Sequence, residues 1–245
     1  MGKNSGFIIA FIVLLSSCTS GDDTTTSTTL ADLVATNTTI LDNVIACASG
    51  SENEDEIIAY VYPRPGVTAL RYFETNDVSV DKNDFTAYTE VVLESEDFFN
   101  GYLMKFTRQT SRERWVILTF IEEGVLQLSN PILLKHKSQN TAFTQEVVVD
   151  QTDSEMPVFS WNASDQGEDA IYFQVLANDQ NDLQSGTYTF DTHFQYYNLD
   201  NVVLNITRDQ PADLVFGTNY SFTLMGVSED NWVNTLDVVS FISGN

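Results

Sequence analysis

Short apolar runs separated by turn residues are the sequence feature that most constrains how this chain can fold. Between residues 43 and 137 there are seven such runs, and no long stretch has a convincing helical period. Turn segments such as Glu122-Glu123-Gly124, in which the glycine can adopt a positive φ, separate the runs and are typical of hairpins. The segment Trp115–Leu118 is apolar at successive positions, which predicts a central strand buried on both faces. The seven runs together predict a β-sandwich; they are 44–48, 57–62, 67–74, 88–93, 102–108, 115–121 and 125–134.

A second group of runs follows a polar, acidic stretch around residues 150–155. Alternation is clearest in 186–197, where aromatic and Thr side chains at even positions are interleaved with Thr, Asp, His and Gln. This period of two predicts one continuous strand with an aromatic face. The face consists of Tyr188, Phe190, Thr192, Phe194 and Tyr196, and the other runs are 157–161, 171–177, 201–207, 220–227 and 233–242.

The second group of runs resembles a fibronectin type III domain from residue 157 to residue 242. Pro157 and Trp161 match the opening of that family, in which the Trp packs in the core. Leu214 and Tyr220 match its tyrosine corner, in which the Tyr hydroxyl bonds to upstream backbone. Phe216 stands where the family often has Pro. The resemblance implies an all-β protein with two immunoglobulin/fibronectin III-like sandwich domains, 43–150 and 151–245, the first being a degenerate copy; it does not imply a function.

The N-terminus has the layout of a secretory signal peptide in residues 1–17. Lys3 gives a positive start and Phe7–Leu15 forms an apolar core of nine residues. A membrane-spanning helix needs about 20 apolar residues, so a signal peptide is preferred to an anchor. Leu15-Ser16-Ser17-Cys18 resembles the bacterial lipobox, which implies cleavage before Cys18 and acylation of that residue with fatty acids such as palmitate. Several acyl chains give stable membrane attachment.

The segment behind Cys18 predicts where the protein is located. Thr19 is not the Asp that would retain an enterobacterial lipoprotein in the inner membrane, and Gly21-Asp22-Asp23 resembles the surface-export signal of Bacteroidota lipoproteins. The resemblance implies a lipid-anchored, surface-exposed protein of the bacterial outer membrane. Residues 18–42, which include a Thr-rich run, are predicted to be a flexible tether, with a short helical turn as the alternative for 30–41.

The charge and the cysteine content exclude two classes of protein. The net charge is −24, so long-range repulsion excludes nucleic-acid binding, and membrane contact must come from the lipid and not from a basic patch. Cys18 and Cys47 are the only cysteines, so a disulfide scaffold is excluded once Cys18 carries lipid. Cys47 is expected to be a buried small apolar residue, with a reactive thiol or an intermolecular disulfide as the alternative.

No motif indicates a catalytic centre, and we expect a non-enzymatic protein without a cofactor. A hydrolase with a carboxylate pair is the third hypothesis, although the 35 acidic residues do not indicate a particular pair. His136 and His193 do not stand in a zinc-binding arrangement, and no nucleophile elbow or phosphate-binding glycine loop is present. Calcium is the one metal that the sequence suggests, through oxygen ligands at Asp77, Asp81 and Asp84. The alternative is that these residues bond their own backbone in turns.

Two aromatic residues suggest ligand binding. Tyr197 and Trp232 are expected at strand ends or in loops, where exposed rings can stack on sugars. The alternative is that these rings pack at the rim or in the core of the sandwich. We therefore expect a non-catalytic binding, adhesion or spacer module that has a glycan or another envelope protein as its partner. The second hypothesis is a carbohydrate-binding accessory lipoprotein of a glycan-uptake system.

Overall fold

A computed structural model describes Gly2 and residues 28–165 and 168–244. The described part contains one α-helix, one 3₁₀ turn (Phe85–Ala87) and nineteen strands. The first half comprises α1 (Leu30–Ala35), β1 (Thr39–Val44), β2 (Ala46–Gly50), β3 (Glu56–Val61), β4 (Thr68–Glu74), β5 (Thr89–Val91), β6 (Ser95–Phe98), β7 (Leu103–Gln109), β8 (Trp115–Glu122), β9 (Val125–Ser129) and β10 (Ile132–Leu133). The second half comprises β11 (Ala142–Thr144), β12 (Val148–Asp150), β13 (Val158–Ser160), β14 (Ile171–Asn178), β15 (Leu183–Thr189), β16 (His193–Gln195), β17 (Val202–Asn205), β18 (Asn219–Val227) and β19 (Val233–Ile242).

The strands form four sheets, two in each half. Sheet 1 has the order β1-β9-β8-β4-β5, with β10 added to β8, and sheet 2 has the order β2-β3-β7-β6. Sheet 3 has the order β11-β19-β18-β14-β15-β17, and sheet 4 has the order β12-β13-β16. The predicted fold class, all-β with two sandwich domains, is confirmed by this arrangement.

The two halves repeat one topology. In sheet 1 the first strand runs parallel to β9, and in sheet 3 the first strand runs parallel to β19. The strands that follow across each sheet pair antiparallel, and they occur in the same order. This order is β9-β8-β4 in sheet 1 and β19-β18-β14 in sheet 3. The strand order therefore supports the suggestion that the first half is a degenerate copy of the second.

Apolar cores between successive sheets arrange the four sheets as a stack, 1-2-3-4. Sheets 1 and 2 enclose a core that includes Tyr72, Phe106 and Phe120. Sheets 3 and 4 enclose a core that includes Phe159 and Phe222, whose rings stack at 3.9 Å. Between sheets 2 and 3 lies a further buried core, so that the two sandwiches pack face to face. Its members are Cys47, Tyr60, Phe99, Leu103, Phe173, Val175, Ala177, Tyr188, Ile206, Met225, Val227 and Val233.

The outer face of sheet 1 is covered by α1. Thr29 caps this helix, because its hydroxyl accepts from Asp32 N while the Asp32 carboxylate accepts from Thr29 N. Leu30 packs fully buried against Phe73, Ile117 and other apolar residues of sheet 1. The segment predicted to be tether up to residue 42 therefore contains α1 and most of β1, and Cys18 and residues 3–27 lie outside the described residues.

The central position of β8 was correctly predicted. It lies between β4 and β9, and Val116 to Phe120 are all buried. Val116 and Leu118 face the core between sheets 1 and 2, whereas Ile117 faces α1. The successive residues Val116, Ile117 and Leu118 are therefore all apolar.

The prediction of one continuous strand over 186–197 is wrong. β15 ends at Thr189 and β16 begins at His193, because the chain leaves sheet 3 and crosses to sheet 4. Tyr188 consequently packs between the sandwiches, while Phe194 packs inside the second sandwich. Phe190, at the crossing, is 66% exposed.

The strand pairing changes between Leu133 and Ala142, before the predicted boundary at residue 150. β11 pairs with β19, and β12 pairs with β13, so both strands belong to the second sandwich. Their brevity and polar surroundings, with three residues in each, explain why this stretch resembles a linker in sequence.

The core features that the family resemblance implied are present in the second sandwich. Trp161 packs in its core, with its ring 5.3 Å from that of Tyr172 in an edge-on contact. The Tyr220 hydroxyl accepts a 2.9 Å hydrogen bond from Val215 N, and Leu214 beside it is buried. This bond closes the tyrosine corner.

The loop between β18 and β19 joins the two sandwiches. Asn231 O accepts from Ala48 N at 3.0 Å, and Asp230 O accepts from Leu133 N at 3.0 Å. Lys135 Nζ lies 3.1 Å from the Asp230 carboxylate. This segment, residues 228–232, thus inserts into the first sandwich.

None of the helical segments in residues 28–165 and 168–244 has the length and apolar composition of a membrane span.

Candidate functional site

A cavity of about 410 Å³ opens where the β16–β17 connection meets the segment that follows β17. Tyr197 and Leu199 come from the connection, and residues 207–211 form the opposite wall. Phe194 and Ser185, both buried, contribute to the inner side. We call this site the Tyr197 cavity. Its volume lies within the range of small-molecule binding sites.

Tyr197 is held in an uncommon backbone conformation at the cavity. Its φ is +69°, in the left-handed region that bulky residues rarely adopt. Its ring packs edge-on against Tyr196 at 5.0 Å, and its hydroxyl donates to Asp213 Oδ1 at 3.2 Å. Desolvation, and then the Asp213 carboxylate, raise the pKa of this hydroxyl. Strained residues of this kind cluster at functional sites.

The neighbouring Tyr196 helps to hold the wall of the cavity in place. Its ring is fully buried in the second core, and its hydroxyl donates to Ala212 O at 2.7 Å. The two adjacent tyrosines therefore both bond to the segment 212–213. This arrangement holds the loop that carries residues 207–211 beside the Tyr197 ring.

Arg208 connects the segment 207–211 to the first sandwich. Its guanidinium carbon lies 4.1 Å from the centre of the Tyr102 ring and 5.7 Å from that of Tyr62, both from the first sandwich. Its backbone N donates to the Tyr102 hydroxyl at 2.6 Å, and that hydroxyl donates to Ile206 O at 2.7 Å. The cavity is thus supported by both sandwiches.

Of the two aromatic residues predicted to bind a ligand, Tyr197 lies at a cavity and Trp232 does not. Trp232 is fully buried in the core between sheets 1 and 2, and its Nε1 donates to Gln139 O at 2.9 Å. A sugar cannot stack on a ring without exposed surface, so the predicted role for Trp232 is wrong. Its polar neighbours Asp230 and Asn231 make it look like a surface residue, but they bond to the first sandwich.

The predicted calcium ligands do not form a site. Asp77 Oδ1 accepts from Ser79 N at 2.8 Å, Asp81 Oδ1 from Asn83 N at 2.9 Å, and Asp84 Oδ1 from Thr86 N at 3.0 Å. Each carboxylate thus bonds to the backbone two residues ahead, which is ordinary turn chemistry. Within residues 28–165 and 168–244, no group of three or more His, Cys, Asp or Glu side chains could hold a metal ion.

The Cys47 thiol is buried and packs in a hydrophobic core. It lies in the core between sheets 2 and 3, and burial raises its pKa to about 12. A protonated thiol is a poor nucleophile. Of the two interpretations, the structure favours the buried apolar residue.

His136 is a buried titratable group outside the cavity. Only 9% of its surface is exposed. Burial is the largest influence and lowers its pKa from the usual 6.5, as does Lys137, while the Thr110 carbonyl and the carboxylates of Glu113 and Asp55 oppose the change. His193, in contrast, is exposed and lies beside Asn201, whose Nδ2 donates to His193 O at 2.9 Å.

We expect His136 to make stability fall on mild acidification. The unfolded state binds a proton at higher pH than the folded state, so the free energy of unfolding is greatest above pH 6.5 and falls as the pH drops through that value. Urea unfolding at several values between about pH 7.5 and about pH 5 measures this slope. His136→Gln should flatten it, and an identical slope in the variant would contradict the assignment.

Sequence reasoning missed the wall of the cavity, residues 207–211. One signal was present: Arg208 is the only Lys or Arg after Lys137. A single cation in a long acidic segment is a candidate for a specific contact. Here that contact is with Tyr102 and Tyr62 of the other sandwich.

Of the comparisons with known proteins, the one with solved structures gives matches. No family model matches the sequence, and no curated protein matches it. The structure is similar to a two-domain fibronectin type III segment from chicken tenascin, with 12% identity, coverage of 82% of this chain and 97% of that chain, and a TM-score of 0.29. It is also similar to the FN1–FN3 domains of chicken CNTN1, with 11% identity, coverage of 85% and 69%, and a TM-score of 0.28. At these scores the assignment of two β-sandwiches rests on the sheet topology described above.

Proposed function

We propose that this chain is a lipid-anchored, non-catalytic protein of the bacterial outer membrane that presents a rigid binding or adhesion module at the cell surface. The observation that supports a rigid module best is the buried apolar core between sheets 2 and 3. Two domains joined by a linker alone move relative to each other, but a large hydrophobic interface suppresses that motion.

Further contacts across the interface support this rigidity. Besides the inserted segment 228–232, Asn100 Nδ2 donates to Asp182 Oδ1 at 2.6 Å and to Gln180 O at 2.9 Å. Asn100 lies in the first sandwich, and both acceptors lie in the β14–β15 turn of the second. Polar contacts at the rim and an apolar centre are the ordinary composition of a stable interface.

The position of the N-terminal segment supports outward presentation. Thr28 O accepts from Glu90 N at 3.0 Å, and Leu30 is buried against sheet 1. The chain from Cys18 therefore reaches the folded part at sheet 1. The Tyr197 cavity is lined by residues of sheets 3 and 4, which belong to the second sandwich and not to sheet 1.

Replacement of Cys18 tests the anchor. Cys18→Ser should move the protein from the membrane fraction to the soluble fraction and abolish incorporation of labelled fatty acid, because the acylated thiol is lost. Cell fractionation and metabolic acyl labelling measure both effects. Cys47→Ser is the matched control, in which both signals should persist. Membrane association and labelling that survive in Cys18→Ser would contradict the proposal.

Carbohydrate binding is a second candidate function, and the Tyr197 cavity favours it. An aromatic ring stands beside amide, hydroxyl and apolar side chains in one concave site, which is a suitable lining for a small polar ligand. The ring can pack on the apolar face of a sugar while the polar groups bond to its hydroxyls. Retention by polysaccharide affinity gels is the direct measure of this candidate.

A further inference from the structure

The second sandwich has an exceptional charge distribution. From residue 138 to residue 245 the sequence has 16 Asp and Glu residues and a single Lys or Arg, Arg208. In the first sandwich most basic side chains are paired with acids, for example Arg64 with Glu122. The potential around the second sandwich is therefore negative, and it opposes the approach of anions.

Arg208 does not reverse this potential in the Tyr197 cavity. Its guanidinium lies over the Tyr102 ring, and its Nη2 donates to Pro63 O at 3.4 Å, so the cation is directed at the first sandwich. The next residue, Asp209, lines the cavity, and Asp213 holds the Tyr197 hydroxyl. The acidic residue that lines the cavity is therefore Asp209, and the Arg208 guanidinium is engaged with the first sandwich.

The remaining lining offers both apolar contact and uncharged polar groups. The Tyr197 ring, Leu199 and Pro211 present apolar surface, and Leu199 is 52% exposed. Asn205 and Gln210 supply amides that can donate and accept at the same time. A sugar ring matches this combination, because one of its faces is apolar and each of its hydroxyls both donates and accepts.

We propose that the Tyr197 cavity binds an uncharged sugar unit of a glycan, stacked on Tyr197 and bonded to Gln210 and Asn205, and that it rejects sugars bearing carboxylate or sulfate groups. This inference rests on the carbohydrate-binding candidate and adds its ligand class. A nucleotide or phosphorylated ligand is excluded by the same repulsion. Because the contacts are uncharged, affinity for the neutral ligand should not change with ionic strength.

Titration calorimetry of the full chain carrying Cys18→Ser tests the ligand class. The probes are neutral oligosaccharides of hexose, pentose and N-acetylhexosamine units, and uronic acid oligomers of similar length, each at low and at physiological salt. We expect a neutral oligomer to bind with equal affinity at both salt concentrations and the uronic acid oligomers not to bind. Tyr197→Ala and Gln210→Ala should each weaken binding by about tenfold or more.

A substitution far from the cavity and a stability measurement separate a binding effect from a folding effect. Phe143→Ala removes an exposed aromatic residue on β11, at the opposite edge of sheet 3 from β17, and should leave binding unchanged. The thermal unfolding midpoint of each variant reports whether it remains folded.

Each further outcome counts against a defined part of the account. Equal or tighter binding of uronic acid oligomers, lost in Tyr197→Ala, would overturn the charge selection and leave carbohydrate binding in place. Neutral binding that is unaffected by Tyr197→Ala and Gln210→Ala would overturn the cavity as the site. Failure of every oligomer to bind would overturn both this inference and the carbohydrate candidate, whereas the lipid-anchored module is judged separately by Cys18→Ser.

Discussion

Replacing Trp232 with alanine is expected to lower the free energy of unfolding by about 3–5 kcal/mol, the usual cost of truncating a large buried aromatic side chain. Trp232 belongs to the second sandwich in sequence, but its ring lies fully buried among the residues that fill the first sandwich. Its loss leaves a cavity between sheets 1 and 2 and removes the hydrogen bond from Nε1 to Gln139 O. The effect should therefore extend to both sandwiches.

Denaturant unfolding measures the loss, and two variants control it. Trp232→Phe retains most of the buried volume, so its loss should be clearly smaller than that of Trp232→Ala. Phe216→Ala removes an aromatic side chain that is 78% exposed, and its effect should stay within about 0.5 kcal/mol. A loss below about 1 kcal/mol in Trp232→Ala would contradict the inserted position of the ring.

Glu74→Ala is the second substitution with a large expected effect, again a loss of about 3–5 kcal/mol. The Glu74 carboxylate is buried and accepts from Arg108 Nη2 at 2.8 Å, from Arg108 Nε at 3.1 Å, and from Arg114 Nη1. Glu74 lies on β4 of sheet 1 and Arg108 on β7 of sheet 2. Removing the one carboxylate leaves two partly buried guanidinium groups without their shared counter-ion.

An exposed ion pair in the same sandwich is the matched control. Glu96 lies 3.3 Å from Lys105, and the Glu96 side chain is 60% exposed. Exposed pairs contribute about 0–1 kcal/mol, so Glu96→Ala should change stability little. Similar losses in Glu74→Ala and Glu96→Ala, again measured by denaturant unfolding, would show that burial does not decide the strength of the Glu74 pairs.

Local patterns predicted most of the longer strands, but they missed β1, β6, β11 and β12 and could not predict how the sheets stack. The successive apolar residues of β8 correctly indicated burial on both faces. Cys47 was expected to be buried, and it is, yet nothing near it in sequence identifies Tyr188 or Val233 as members of the same core. Face-to-face packing of the two sandwiches depends on contacts between distant residues, which no period of two records. The switch of sheets at Phe190 was missed for the same reason.

The candidate site was predictable only in part. Tyr197 was identified through its expected position at a strand end or in a loop, and it does line a cavity. The same reasoning failed for Trp232, because its polar neighbours bond to the other sandwich and are not at a free surface. Asp77, Asp81 and Asp84 show how turn residues imitate a metal site, since a carboxylate that bonds its own backbone has the same spacing in sequence.

The central claim is that the two sandwiches form one cooperative, rigid unit through the core between sheets 2 and 3. Differential scanning calorimetry of the mature chain tests this claim most directly. We expect a single transition in which the calorimetric enthalpy equals the van't Hoff enthalpy, because neither sandwich can unfold without exposing that core. Two separate transitions, or a calorimetric enthalpy about twice the van't Hoff enthalpy, would show that the sandwiches unfold independently and would contradict the claim.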